Sequence, residues 1–302
     1  MLRKTISLAG ASALVMTLGP VLPPAQAAPA AATAACSIGL GSWDQAWGHN
    51  SRVVTATTPP TVSPVLSTPD IYPPPYSVGP GTTFTAVPTT GGRTIRTGKI
   101  IGVSGYLTEN SYTIGRDGKL VAPAVQRKIG AGWGGRFVEQ SQYRPAGSSQ
   151  PSRTMLYKQD QYGLFSRFTA VGTGWRHTGD VVGLSTMKSF ALIGRGPTYD
   201  TFLANNRGGG LYTVRIPTSS PLKPVATPVR TSTWQGFSKL IAAPCGREGT
   251  LLLGIAGKTG YLYAVGHANG TKTVIKSLGS VPLDGDWDYF RFAPLTDPLN
   301  GA

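Results

Sequence analysis

The stretch Gly209-Gly210-Leu211-Tyr212 recurs 51 residues later as Gly260-Tyr261-Leu262-Tyr263, and this recurrence decides the fold. Each copy follows a tight turn between two extended runs rich in Thr, Val and Tyr, which is the pattern of a β-hairpin. Leucines after such turns stand at Leu120, Leu164, Leu211 and Leu262, with spacings of 44, 47 and 51 residues. A period near 45 is typical of a four-stranded propeller blade.

A second phrase, in which Trp follows Gly, Ser, Thr or Asp, alternates with the hairpins. Its copies end at Trp43, Trp133, Trp175, Trp234 and Trp287, and the copy expected near residue 93 is absent. After the last four copies we expect short strands at 136–142, 180–185, 237–242 and 289–293. One strand, one hairpin and one further strand would then make up each unit.

Counting hairpins predicts the number of units. Five candidates lie at 72–87, 111–122, 154–168, 199–215 and 250–265. An unpaired strand remains at each end, at 37–40 and 289–293, and placing both in one blade would remove the exposed edges of the ring. The sequence therefore predicts an all-β fold, a β-propeller of five four-stranded blades closed by the N- and C-terminal strands.

The N-terminal region predicts export. Arg3 and Lys4 precede an apolar run at 6–18, and Ala25-Gln26-Ala27 forms a small-x-small cleavage site. The run is too short to span a bilayer, which takes about 20 residues. We therefore expect a signal peptide at 1–27, a disordered Ala-rich leader at 28–35, and a single secreted propeller domain at 36–302 with a Pro-rich loop at 57–80 and no membrane span.

The two cysteines and the charge bear on partners. Cys36 and Cys245 would meet an oxidising environment, so we expect a disulfide; two buried thiols or a metal site are the alternatives. Removing residues 1–27 lowers the formal charge from +15 to +13. That charge favours anionic partners such as cell-wall polymers. The alternative is a solvated surface, because Arg and Lys are scattered, and no nucleic-acid partner is expected.

The repeated phrases resemble the tachylectin-type β-propeller lectins, whose units pair a Gly-x-Gly-Trp phrase with a Gly-x-Leu-Tyr hairpin. The matching residues are 131–133, 172–175, 209–212 and 260–263, and the resemblance covers about residues 93–294. It implies N-acetylated amino sugars bound between neighbouring blades, with a flat ring beside polar groups. The candidate ligand-binding residues are Trp133, Trp175, Trp234, Trp287, Tyr212 and Tyr263. The alternative is that the Trp side chains fix the packing between blades.

Catalytic patterns are sparse. His49, His177 and His267 stand far apart, and no Gly-x-Ser-x-Gly elbow is present. Asp284, Asp286 and Asp288 fit a charged turn better than a metal site, so neither metal nor cofactor is expected. A glycosidase would need two acids in one pocket, and the candidates are Glu109, Glu139, Asp160 and Asp180. The sequence thus favours a non-catalytic carbohydrate-binding protein; the alternatives are a secreted propeller glycoside hydrolase and a basic cell-surface interaction protein.

Overall fold

Strands dominate the residues that the structure, a computed structural model, describes: 35–43, 48–72, 78–102, 104–283 and 288–302. The signal peptide expected at 1–27, and all but the last residue of the leader expected at 28–35, lie outside them. Residues 35–302 form one compact unit. Its strands in chain order are β1 (Ser37–Trp43), β2 (His49–Thr55), β3 (Thr61–Val62), β4 (Leu66–Thr68), β5 (Val78–Gly81), β6 (Phe84–Pro88), β7 (Thr94–Gly102), β8 (Leu107–Ile114), β9 (Val125–Gly130), β10 (Phe137–Tyr143), β11 (Arg153–Gln159), β12 (Phe165–Val171), β13 (Gly174–Val181), β14 (Met187–Arg195), β15 (Tyr199–Asn206), β16 (Leu211–Pro217), β17 (Val225–Arg230), β18 (Lys239–Cys245), β19 (Gly249–Ala256), β20 (Thr259–Val265), β21 (Ile275–Pro282) and β22 (Tyr289–Ala293).

Three sheets are four-stranded antiparallel meanders in which the strand order follows the chain. They contain β10 to β13, β14 to β17, and β18 to β21. Burial decreases across each sheet. In the second sheet β14 and β15 are buried along most of their length, whereas β17 is largely exposed. The fourth strand of each meander is therefore the outer one.

The remaining strands form a ten-stranded sheet in the order β3-β2-β1-β22-β6-β7-β8-β9, with β4 also paired to β2 and β5 to β7. The two terminal strands pair as the sequence predicts, because Gly39 of β1 lies opposite Phe292 of β22 in antiparallel register. The structure has four hydrogen-bonded sheets where five blades are expected. The difference arises because β22 and β6 pair in parallel at Phe292 and Phe84, which joins two groups of four strands into one sheet.

The first strands of the sheets contact one another in a closed sequence. β5 contacts β10, β10 contacts β14, β14 contacts β18, β18 contacts β22, and β22 contacts β5 and β6. Each inner strand therefore has an inner-strand neighbour on both sides. The short 3-10 turn Thr90–Gly92 lies away from this centre, between β6 and β7.

Apolar side chains fill the spaces between facing groups of strands. Phe137 and Phe165 meet Phe190 and Phe202 between the β10–β13 and β14–β17 sheets. Within the ten-stranded sheet, side chains of β1 and β22 pack against those of β6, β7 and β8, so its two halves face each other. Five such core clusters occur among the described residues, one between each pair of neighbouring strand groups.

Two of the predicted hairpins belong to other positions in the unit. Residues 111–122 cover the end of β8 and most of its connection to β9, a third and a fourth strand. By contrast, 154–168, 199–215 and 250–265 join a second to a third strand. Residues 72–87 include β5 and β6, which both pair with β7 rather than with each other. The strand expected at 180–185 is also wrong, because β13 ends at Val181 and a turn follows.

The disulfide between Cys36 and Cys245 is confirmed. It joins the residue before β1 to the last residue of β18, with 5.4 Å between the two Cα atoms. It therefore links the N-terminal strand group covalently to the β18–β21 sheet. None of the described residues belongs to a helix with the length and hydropathy needed to cross a bilayer.

Candidate functional site

Trp133 and Trp234 occupy equivalent positions in two units. Each follows a fourth strand, and its backbone N–H donates to a glycine carbonyl in the turn between the second and third strands: Trp133 to Gly105 at 2.8 Å and Trp234 to Gly209 at 3.0 Å. Both glycines have a positive φ, of 74° and 93°, which glycine adopts without strain. Both Trp side chains are buried, with 7% and 5% exposure.

Each of these two Trp rings also packs on an aromatic ring from the third strand of the next sheet. Trp133 lies 4.4 Å from Phe168 of β12, measured between ring centroids, and Trp234 lies 5.0 Å from Tyr263 of β20. The rings thus fill the space between neighbouring sheets. This placement favours the packing interpretation for Trp133 and Trp234.

In two further units a buried leucine occupies the position after the fourth strand. The backbone N–H of Leu283 donates to Lys258 in the turn between β19 and β20, as the Trp residues do in their own units. The equivalence of Leu184 follows from the side-chain amide that contacts it. The amide of Gln159 donates to the carbonyls of Leu184 and Met187. In the next unit the amide of Asn205 donates in the same way to the carbonyls of Trp234 and Phe237. The four positions, Trp133, Leu184, Trp234 and Leu283, are separated by 51, 50 and 49 residues.

Trp175 is therefore not the repeat equivalent of Trp133 and Trp234, as the sequence phrase predicts. It lies within β13, opposite Ala170, rather than in a connection between sheets. Its ring is partly exposed and lies under the ammonium group of Lys99, 5.6 Å from the centroid. Trp287, the fourth predicted Trp, lies outside the described residues.

Polar groups surround Trp175. Lys99 pairs with Glu109 at 3.1 Å and donates to the side chain of Gln140 at 2.6 Å. Arg127 binds the second carboxylate oxygen of Glu109 at 3.0 Å and the carbonyl of Thr173. An aromatic face thus lies beside charged groups of a neighbouring sheet, the combination that the sequence predicts for a sugar-binding position.

The two predicted tyrosines lie on third strands. Tyr212 is partly buried beside the core between the β10–β13 and β14–β17 sheets, and Tyr263 packs on Trp234 and on Phe237. Burial raises the pKa of the Tyr263 hydroxyl, and the nearby Tyr261 adds to that increase. Both tyrosine rings contribute to packing between sheets.

A cavity lies where the first strands meet the C-terminal segment 294–300. We call it the central cavity. Its volume is about 450 Å³, which suits one or two sugar units. Its lining combines amides, hydroxyls and charged groups with an aromatic ring and prolines: Thr83, Thr85, Gln140, Gln142, Tyr143, Arg144, Pro145, Ser148, Arg195 and residues 293–300.

An ion-pair cluster anchors the C-terminal wall of the central cavity. Asp297 accepts two hydrogen bonds from the guanidinium of Arg291, at 2.7 and 2.8 Å, and its carbonyl accepts one from Arg195 at 2.9 Å. The side chain of Asp297 is 4% exposed. Burial lowers the pKa of Arg195, although the charge of Asp297 opposes that shift. The segment is further tied to β14 by the bond from the Arg195 backbone N–H to the carbonyl of Leu299.

A narrower space of about 30 Å³ continues from the central cavity between the first strands, and Glu139 lines it. The Glu139 carboxylate accepts hydrogen bonds from the backbone N–H and hydroxyl of Thr83, at 3.0 and 2.9 Å, and from the backbone N–H of Gln140 at 2.8 Å. Burial nevertheless raises its pKa. Glu139 is therefore a structural acceptor that holds β10 to the segment before β6.

The other predicted acids have separate partners. Glu109 lies between Lys99 and Arg127, which lower its pKa against the effect of burial. Asp160 accepts two backbone N–H groups in the β11–β12 turn, and Asp180 pairs with His177 at 2.9 Å. Among the described residues that line the central cavity, Asp297 is the one carboxylate, and Arg291 holds both of its oxygens. The acid pair that a glycosidase needs is not assembled from these residues.

No metal-binding group of three His, Cys, Asp or Glu side chains occurs within the described ranges. The acidic turn expected at Asp284, Asp286 and Asp288 falls largely outside them, because only Asp288 is described. The central cavity itself is missing from the sequence-based candidates. Its residues come from β10, β14, the segment around β6 and the C-terminal segment, so no local motif brings them together.

No family model matches the sequence, and no curated protein matches it. Among solved structures, the chain is similar to the fungal lectin of Aleuria aurantia, described as a six-bladed β-propeller with a fucose recognition mode. That match has 14% identity and a TM-score of 0.49, and covers 84% of this chain and 83% of the lectin.

Two further matches are more distant. SapL1 lectin in complex with α-methyl fucoside has 12% identity and a TM-score of 0.37, with 82% of this chain and 96% of that chain covered. An apocarotenoid oxygenase from Synechocystis has 10% identity and a TM-score of 0.36, with 78% and 72% covered. Likenesses at this level, to lectins and to an oxygenase, assign no function, so the functional argument rests on the residues of this chain.

Proposed function

We propose that this chain is a secreted, non-catalytic carbohydrate-binding β-propeller whose principal binding site is the central cavity. The observation that carries the proposal is the lining of that cavity. The amides of Gln140 and Gln142 and the hydroxyls of Thr83 and Thr85 stand beside the ring of Tyr143. Amides and hydroxyls bind sugar hydroxyls, and an aromatic ring binds the C–H face of a sugar.

The proposed fold is a closed ring of five blades. The β10–β13, β14–β17 and β18–β21 sheets supply three blades. The ten-stranded sheet supplies the other two. In one of them β22 is the innermost strand, and β1, β2 and β3 follow outward. In the other β5 and β6 are innermost, and β7, β8 and β9 follow outward. The closed sequence of contacts between inner strands and the five core clusters support this division.

Export is proposed from the N-terminal signal at 1–27. The Cys36–Cys245 disulfide supports it, because disulfides persist in oxidising compartments. Outside the cell, the ligands we propose are amino-sugar-containing glycans or cell-wall polymers, as the tachylectin-type resemblance implies. The basic surface would bring the protein to such polymers.

Trp175 is the best placed of the predicted aromatic residues for a second, peripheral sugar contact. Its ring is partly exposed beside Lys99, whereas Trp133 and Trp234 are buried between sheets. A peripheral contact in addition to the central cavity would increase retention on a surface that displays many copies of a glycan. We propose that the remaining described aromatic candidates pack between sheets and do not bind sugar: Trp133, Trp234, Tyr212 and Tyr263.

The test is retention on chitin and insoluble cell wall, together with a glycan array, at low and at high salt. We expect the wild-type protein and a Tyr162→Ala control to bind equally, because Tyr162 is 82% exposed in the β11–β12 turn away from the central cavity. Gln142→Ala and Tyr143→Ala should each weaken retention at least tenfold, which corresponds to about 1.4 kcal/mol.

Two outcomes contradict the proposal. Absence of retention at both salt concentrations would remove the carbohydrate-binding function. Retention that disappears at moderate salt, ignores free sugar and is unchanged in Gln142→Ala would instead identify a basic cell-surface interaction protein, because such exposed charge interactions are screened by salt.

A further inference from the structure

We propose that the central cavity selects a sugar unit that carries an oxyanion, either a carboxylate or a phosphate. This inference rests on the proposed carbohydrate-binding function and names the ligand class of the same site. It follows from the charges that line the cavity and from the way in which its acid is neutralised.

The charges around the central cavity do not cancel. Its charged lining residues are Arg144, Arg195 and Asp297. Arg291 engages both carboxylate oxygens of Asp297 at 2.7 and 2.8 Å, in the bidentate geometry that is strong for an Arg and a carboxylate. Arg195 lies 3.5 Å from one of the same oxygens. The single carboxylate of Asp297 is thus shared by two guanidinium groups, so one positive charge remains beside it, and Arg144 adds a second.

Glu139, a second acid near the cavity, does not cancel the positive charge of the lining. Glu139 lies in the narrow continuation of the cavity, and its oxygens are already occupied by the N–H and hydroxyl of Thr83 and by the N–H of Gln140. Burial also raises its pKa, which favours the uncharged form. Its negative charge therefore offsets Arg195 less than an exposed carboxylate would.

Arg195 is held in position before any ligand arrives. Its side chain is 15% exposed, and one terminal nitrogen donates to the carbonyl of Asp297 at 2.9 Å. Its Nε is buried without an acceptor among the described residues. A fixed guanidinium in a partly enclosed space attracts an oxyanion more strongly than a surface Lys does, because less side-chain order is lost and less water screens it.

Arg144, directly after β10, also lines the cavity. Its guanidinium donates to the carbonyl of Ser149 in the β10–β11 connection. The cavity lining therefore includes one guanidinium from the end of β14 and one from the residue after β10, and Gln142 and Tyr143 directly precede Arg144 in the sequence. A sugar ring on Tyr143 would present an acidic substituent to one of the two.

The experiment is isothermal titration calorimetry at 20 and 150 mM salt. The probes are D-glucose, D-glucuronate, D-glucose 6-phosphate and inorganic phosphate. The variants are Arg144→Gln and Arg195→Gln, and Arg247→Gln is the control because Arg247 is exposed in the β18–β19 turn and removes the same charge. Circular dichroism confirms the fold of each variant, and Arg144→Gln keeps the test valid if Arg195→Gln does not fold.

We expect the wild-type protein and Arg247→Gln to bind glucuronate or glucose 6-phosphate at least tenfold more tightly than glucose. In Arg144→Gln or Arg195→Gln that ratio should fall below threefold, while the affinity for glucose changes less than twofold. The preferred anion, glucuronate or glucose 6-phosphate, identifies whether carboxylate or phosphate is the natural group.

Equal affinity for glucose and both anionic sugars would overturn the anion selectivity and leave carbohydrate binding intact. Inorganic phosphate binding as tightly as glucose 6-phosphate, with no binding of glucose, would also overturn the inference, because the site would then hold a simple anion. If none of the three sugars binds, this inference fails, and retention on chitin and cell wall then decides separately whether the proposed carbohydrate-binding function holds.

Discussion

At the level of single residues, His49 is the most completely buried titratable group whose charge can change near neutral pH. Its Nδ1 lies 2.5 Å from the hydroxyl of Tyr112 and its Nε2 lies 2.7 Å from the hydroxyl of Tyr72. Burial, and secondarily the charge of Arg96, lowers its pKa well below the ordinary value of 6.5. The neutral ring has one donor and one acceptor nitrogen, so one tyrosine donates to it and the other accepts.

This shift predicts acid sensitivity. Below pH 6.5 the unfolded chain binds a proton at His49 and the folded chain does not, so the free energy of unfolding falls as the pH falls. The slope from this group approaches about 1.4 kcal/mol per pH unit until the folded pKa is reached. Urea unfolding between pH 4.5 and 8 measures it.

His49→Gln is the matching variant. It should lower stability by about 1–3 kcal/mol at pH 8, since a buried hydrogen-bonded ring is replaced. Its pH dependence below 6.5 should be flatter than that of the wild type. Glu139 has the opposite sign, because its raised pKa stabilises the fold at low pH, but it is common to both proteins and cancels in the difference. Parallel curves for the two proteins would contradict the assignment.

Asp200 is a fully buried acid that accepts three hydrogen bonds from two side chains. Two nitrogens of Arg153 bind its oxygens at 2.6 and 2.8 Å, and the hydroxyl of Tyr157 donates at 2.7 Å. The partners belong to the β10–β13 sheet and Asp200 to the β14–β17 sheet. Burial would lower the pKa of Arg153, but Asp200 raises it. Burial raises the pKa of the Tyr157 hydroxyl, and Asp200 adds to that increase.

We predict that Asp200→Asn destabilises the protein by about 3–5 kcal/mol, because it leaves the Arg153 charge buried without its partner. The control is Asp180→Asn, which removes an ion pair with His177 whose two side chains are about half exposed and should cost at most about 1 kcal/mol. Chemical denaturation at pH 7 compares the two. Similar losses in both variants would contradict a special role for burial.

At the level of elements, the position after each fourth strand sets the distance between sheets. It holds Trp133, Leu184, Trp234 and Leu283 in four successive units. Three of them donate their backbone N–H to the turn between the second and third strands, and Leu184 accepts from the Gln159 amide as Trp234 does from Asn205. The side chain at this position can therefore be aromatic or aliphatic, provided that it is large and apolar. A sequence search for Trp alone identifies two of the four, and Leu is too common to be recognised without the structure.

This equivalence predicts how Trp234 responds to substitution. Trp234→Leu should cost about 1–2.5 kcal/mol, because leucine occupies the corresponding position in two other units. Trp234→Ala should cost about 3–5 kcal/mol, since a cavity remains between the sheets. Urea unfolding gives both values, and glycan retention of the folded variants should be unchanged. A loss of retention in Trp234→Leu with full stability would show instead that the ring binds ligand.

At the level of the whole molecule, two links join the beginning of the described chain to its later strands. One is the strand pairing of β1 with β22, and the other is the Cys36–Cys245 disulfide, which closes a loop of 209 residues. The disulfide joins the N-terminal strand group to the β18–β21 sheet, on whose first strand Cys245 lies. Both links therefore hold the N-terminal strand group against the C-terminal part of the chain.

We predict that Cys36→Ser with Cys245→Ser lowers the free energy of unfolding by about 2–4 kcal/mol. The disulfide lowers the conformational entropy of the unfolded chain, and the chain-entropy model gives about 5 kcal/mol as an upper value for so long a loop. Guanidinium unfolding of the wild type with and without reductant should reproduce the difference. Equal midpoints for the oxidised and the reduced wild-type protein would show that the β1–β22 pairing alone holds the N-terminal strand group in place.

The sequence by itself determined the all-β class, the repeated hairpins at 154–168, 199–215 and 250–265, the pairing of the terminal strands and the disulfide. Alternation of apolar residues and turn chemistry are local properties, and they are written in adjacent residues. Only the tertiary structure decided that Trp175 lies on a strand while Leu184 fills its expected place. It also assembled the central cavity from Gln142, Arg195 and Asp297, because inner strands from distant parts of the chain meet only when the sheets pack together.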